Sequence, residues 1–133
     1  MSSTRCARLV FLAAGVYGVI AVVPGFFEEK MLNRLFPPAL THPEFFYGFF
    51  GVALAWQVAF FIIAGDPLRL RPIICAAIVE KLAYTAACAV LLATGRLTSL
   101  FAGTAAIDLV FAILFAVAYS RLGKAESAAA VAS

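Results

Sequence analysis

Four runs of apolar residues, each about as long as a bilayer crossing, constrain this chain more than anything else in it. They fall at residues 7–27, 45–65, 73–93 and 100–120. About 20 apolar residues at 1.5 Å rise cover a hydrocarbon layer about 30 Å thick. Inside such a layer each backbone N–H and C=O must be satisfied within its own segment, which makes runs of this length helical. The predicted fold is all-α: an integral membrane four-helix bundle forming a single membrane domain over residues 1–133. Composition agrees, with 65% hydrophobic and 13% charged residues, far from the balance of a soluble domain. The net charge of +3 comes from loop residues and forms no basic stripe. The lipid bilayer is therefore the expected partner and nucleic acid is not.

The joints give the topology. Residues 28–44 form a long connector, 66–72 a short one and 94–99 a tight hairpin. With both termini cytoplasmic, Arg5, Arg8, Arg69, Arg71, Arg121 and Lys124 lie inside, against Lys30, Arg34 and Arg96 outside. The positive-inside rule favours that orientation, in the cell (inner) membrane. The first run is expected to be retained, because Pro24-Gly25-Phe26-Phe27 lacks the small-x-small pattern of a leader cleavage site. In the outer connector, Phe27, Met31, Leu32, Leu35 and Phe36 share one helical face. This predicts an amphipathic helix on the outer surface, stopped by Pro37-Pro38. Thr41-His42-Pro43-Glu44 reads as a capping box in which Thr41 caps the second span and Glu44 reaches back. His42 and Glu44 together make an outer-face polar turn. The aromatic cluster Phe45–Phe50 reads as interface anchoring. Gly15, Gly18, Gly48 and Gly51 are expected at close helix contacts. The alanine-rich tail, 121–133, has no packing signal and is expected to be flexible. Cys75 and Cys88 lie about 19 Å apart on one helix, which excludes a disulfide between them.

Within the runs lie a few groups that are costly in lipid. Ionisable residues there mark function more often than packing. Counted from the outer end of each span, Asp108 lies about 12 Å deep, Tyr17 about 15 Å, Tyr84 about 16–17 Å, Gln57 about 18 Å, Lys81 about 21 Å and Glu80 about 22 Å. All four spans thus place a polar group near mid-membrane, and the six are expected to share one ligand-binding or proton-handling site. Glu80 and Lys81 are about 100° apart around their helix and are not expected to face each other. Side chains tilt toward a helix N-terminus, so Lys81 and Asp108 should lean apart. A relay through Tyr84, Gln57 or water is expected instead of a direct ion pair.

The stretch 41–51, with Trp56-Gln57, Asp66-Pro67, Glu80-Lys81, Gly95-Arg96 and Asp108, resembles uncharacterised bacterial four-span inner-membrane proteins. The architecture is similar to DoxX-like proteins and, more distantly, to sterol-isomerase (EXPERA) bundles. The resemblance implies the fold but no activity. No catalytic set is identifiable, and the reading leans away from an enzyme. No cofactor and no metal are expected. The leading expectation is a hydrophobic or amphipathic small molecule bound in a polar pocket within the bundle. The alternatives are a small proton-coupled transporter, as a homodimer, and a structural or assembly subunit of a larger membrane complex.

Overall fold

The computed structural model describes residues 2–132, with side chains except at 129, 131 and 132. It contains five helices and, among the described residues, no strand: α1 (Ser3–Gly25), α2 (Glu29–Leu35), α3 (Pro43–Gly65), α4 (Arg71–Ala93) and α5 (Ser99–Ala132). All but α2 are long and apolar enough to cross a membrane.

Local chemistry sets the boundaries. Ser2 opens α1 by accepting a hydrogen bond from the Arg5 N–H at 3.3 Å. The short helix expected in the connector forms as α2, and it ends where Phe36 precedes Pro37. Helix α3 starts directly at Pro43, whose fixed φ suits the first helical position. The capping box is therefore corrected: His42, not Thr41, is the N-cap residue, and no side chain caps the helix. At the other end of the bundle's second half, Gly95 takes φ 69°. The Arg96 N–H then reaches Leu91 O at 2.8 Å and the Gly95 N–H reaches Leu92 O at 3.0 Å. This Schellman arrangement closes α4 and turns the chain tightly into α5.

Helix α1 packs on α3 and on α5, and α4 packs on α5, whereas α3 and α4 scarcely touch. The spatial order α3–α1–α5–α4 leaves a seam between the first helix and the last in that row. Buried residues recur at three- and four-residue spacing: Ala7, Phe11 and Ala14 on α1, Phe60 and Ala64 on α3, Ile74 and Ala77 on α4, Phe115, Ala118 and Leu122 on α5. At the centre Phe115 stacks on Phe11 at 4.3 Å and meets Phe60 edge-on at 5.2 Å. This apolar core occupies the half of the bundle nearer the two termini.

Two arginines close that end. Arg8 donates from Nε to Ala64 O and from Nη2 to Gly65 O, both at 2.9 Å. It thereby satisfies the last carbonyls of α3. Arg71 donates from Nε to Tyr119 O at 3.1 Å, lies over the Tyr119 ring at 4.2 Å and pairs with Glu126 at 3.2 Å. Gly123 makes room, since a Cβ there would meet the Arg71 guanidinium. Helix α5 runs on to Ala132 through the stretch expected to be a flexible tail, whose last residue lies outside the described residues, and Leu122 is fully buried. Helical alanines extend the helix, and Arg71 fastens it.

The glycines divide. Gly18 faces the Gln57 amide and Gly15 the Phe61 ring, both at the α1–α3 contact, while nothing lies near Gly48 or Gly51. Close packing at the latter two is therefore corrected. Gly18→Ala is expected to destabilise the bundle by about 1–3 kcal/mol through overpacking against Gln57. Measured by equilibrium unfolding, the loss should shrink when Gln57→Ala is added. A loss that persists in the double variant would place the strain elsewhere.

Candidate functional site

Directly above the aromatic core, on the side away from the termini, sits a compact ionic triad. Lys81 is 6% exposed, the most buried charged residue described. Its Nζ lies 3.1 Å from Asp108 Oδ1 on α5 and 3.4 Å from Glu80 Oε2 on its own helix. The ammonium also lies 5.5 Å above the Phe60 ring, so the core's aromatic face forms the floor of the charge cluster. Glu80 Oε2 is buried with no hydrogen-bond partner.

This corrects two expectations. The direct Lys81–Asp108 pair exists, and Glu80 does meet Lys81. The depth count overstated the offset between α4 and α5. Lys81 stands 12 residues before the end of α4 and Asp108 nine after the start of α5, a difference of about 4–5 Å. The flexible four-carbon stem of lysine bridges that offset. Backbone direction says where a side chain starts, and for lysine it does not say where the charge ends.

The other polar groups go elsewhere. Gln57 donates from Nε2 to Ala53 O at 2.8 Å, and its Oε1 is buried without a partner opposite Gly18. Tyr17 packs on Phe111 at 5.6 Å. Tyr84 bonds Thr104 at 3.1 Å and packs on Phe49 at 6.1 Å. The expected relay through Tyr84 and Gln57 is thus replaced by a direct pair, and the expected single site by a closed triad with separate polar neighbours. His42, the N-cap residue of α3, and Glu44, in its first turn, pair at 2.9 Å on the exposed surface. Among the described residues no group of His, Cys, Asp or Glu side chains is placed to hold a metal.

Beyond the triad, where α3 and α4 diverge, a cavity of about 370 Å³ opens. Five phenylalanines (Phe36, Phe46, Phe49, Phe50 and Phe101) supply much of its wall, and Tyr84 and Cys88 contribute from α4. The connector covers it: Leu32, Asn33 and Phe36 line the cavity from α2 and its C-terminus, with Pro38 and Leu40 from the segment after it. Asn33 Oδ1 holds the Leu40 N–H at 2.8 Å, and the Tyr47 hydroxyl donates to Glu29 Oε2 at 2.6 Å. The predicted apolar face of this helix is therefore divided. Leu32 and Phe36 line the cavity, while Phe27, Met31 and Leu35 remain exposed.

Sequence reasoning missed the cavity. Its signal was the spacing of Phe46, Phe49 and Phe50, which puts three rings on one face, together with Leu32 and Phe36 four apart in the connector. Both were read as facing lipid. No family model, curated protein or solved structure matches the chain.

Proposed function

We propose that this chain is a multi-pass integral membrane protein of the cell (inner) membrane that binds a hydrophobic or amphipathic small molecule in the aromatic cavity between α3 and α4. The observation that carries this reading is the cavity itself: about 370 Å³, concave, walled by rings and covered by a connector. Ligand sites are typically about 300–1,000 Å³, largely apolar, with few polar groups. The four apolar helices support a membrane location, and the excess of Lys and Arg at the end holding both termini supports a cytoplasmic placement for that end. On this orientation the cavity opens within the outer leaflet, where a lipophile could reach it through the loose α3–α4 seam without crossing water.

The triad has a separate job in this reading. The single ammonium between two carboxylates ties α4 to α5, leaving the cavity as the place where another molecule fits. Proton-coupled transport would instead draw on the triad, where two carboxylates share one ammonium and Glu80 Oε2 lacks a donor.

Protein purified in mild detergent is expected to release a near-stoichiometric lipophile on denaturation, detected by mass spectrometry. Leu91→Trp, which extends an indole into the cavity, should reduce that yield severalfold while leaving the helical content unchanged. Recovery of no species enriched over bulk lipid, or equal recovery from Leu91→Trp, would contradict the proposal.

A further inference from the structure

We infer that the cavity selects an uncharged lipid carrying a hydroxyl group, a lipid alcohol, over a carboxylate or ammonium of the same chain length. The inference rests on the cavity being a ligand site and concerns what it would accept.

Charge comes first. Among the described residues, no Lys, Arg, His, Asp or Glu lines the cavity. The nearby cation on α4, Lys81, already meets two carboxylates, and those carboxylates already face Lys81. A charged head group in this pocket would be buried without a counter-ion, a large cost in a low-dielectric setting. The available polar contacts come from neutral groups: the Asn33 amide, the Tyr84 hydroxyl and the Cys88 thiol.

Proton accounting then gives the polarity of the head group. The Thr104 hydroxyl lies 2.9 Å from Phe101 O and 3.1 Å from the Tyr84 hydroxyl. Where Thr104 gives its proton to Phe101 O, Tyr84 donates to Thr104 and its oxygen is left to accept; where Thr104 donates to Tyr84 instead, the Tyr84 proton is left to give. Either hydroxyl of the pair can be the donor, so a ligand group that both donates and accepts meets Tyr84 in each arrangement. Among neutral lipids, a hydroxyl does so. At the connector, Asn33 Oδ1 is engaged by the Leu40 N–H, which leaves the amide NH₂ to accompany an oxygen of the ligand.

The test uses the full chain with Cys6→Ser and Cys75→Ser, so that Cys88, a cavity residue and otherwise buried, is the only thiol. In phosphatidylcholine nanodiscs, its alkylation rate by iodoacetamide is followed with dodecanol, dodecanoate, dodecyltrimethylammonium or dodecane. All are compared at equal mole fraction in the membrane and at a pH where dodecanoate is ionised. Dodecanol is expected to protect Cys88 at mole fractions at least about 10-fold below those of either charged probe. Its margin over dodecane should be about 3- to 10-fold, the worth of one neutral hydrogen bond. Tyr84→Phe should erase that margin. Equal protection by dodecanoate and dodecanol, or a margin that survives Tyr84→Phe, overturns the lipid-alcohol assignment and leaves the cavity reading standing. Absence of protection by all four probes overturns the cavity reading itself. Should Tyr84→Phe not fold, the comparison of dodecanol with dodecane at unsubstituted Tyr84 decides the matter.

Discussion

Replacing Lys81 with methionine is expected to destabilise the bundle by about 3–5 kcal/mol, read as equilibrium unfolding in detergent or bicelles. The size follows from what is left behind. In the native protein one ammonium stands 3.1 Å from Asp108 and 3.4 Å from Glu80. Remove it and two carboxyl groups remain close together, with the Phe60 ring and the apolar core beneath them and no cation in reach. Either both stay ionised and repel, or they take up protons and lose their partner. Folding bears the cost both ways. The whole triad behaves differently, because removing all three charges together leaves no buried ion without a counter-charge, and two neutral amides cost far less to bury than two unpaired carboxylates. Glu80→Gln, Lys81→Met and Asp108→Asn combined should therefore recover part of the loss. The exposed Asp66–Arg69 pair at 3.3 Å gives a control. Arg69→Gln should cost no more than about 1 kcal/mol. A Lys81→Met protein as stable as the parent would mean that the ammonium does not hold α4 to α5.

Phe115→Ala is expected to produce the next largest loss, about 3 kcal/mol, the low end for a buried phenylalanine. Phe115 is fully buried and touches Phe11, Phe60 and Phe111, so its ring joins α1, α3 and α5. In a bilayer the separated helices remain in an apolar medium, so the transfer part of the usual cost falls away and lost packing contacts dominate. Since Phe60 also lies under Lys81, loosening this layer should weaken the triad above it. A double-variant cycle of Phe115→Ala with Lys81→Met should accordingly be less than additive. Additive losses would mean that core and triad are independent layers.

The layers of this molecule were unequally legible in its sequence. The four long helices were, because span length and hydropathy are properties of single segments. The connecting helix was too, up to its stop before Pro37. The polar layer was legible in its members and not in its wiring. Glu80, Lys81 and Asp108 do meet, but backbone angles and depth counts misjudged them, since a lysine head is set by its stem and surroundings. Gln57 shows the converse. Its depth matched the others, yet it turns to Gly18 on the neighbouring helix, a fact that depends on which helices adjoin. The contact that fastens the last helix was not legible because its partner, Arg71, lies 55 residues from Glu126. The cavity was missed for a related reason: it exists only because α3 and α4 diverge, and divergence belongs to the assembly of helices. An aromatic face looks the same in a sequence whether it meets lipid or a hollow.

The molecule divides its labour, with the triad as a clasp and the cavity as the binding site. The lipophile content of the purified Glu80→Gln, Lys81→Met, Asp108→Asn variant tests that division most directly, measured by mass spectrometry beside the parent protein once both are shown to be folded. The division predicts equal content in the two. A folded triple variant that has lost its lipophile would make the triad part of the site and contradict the account.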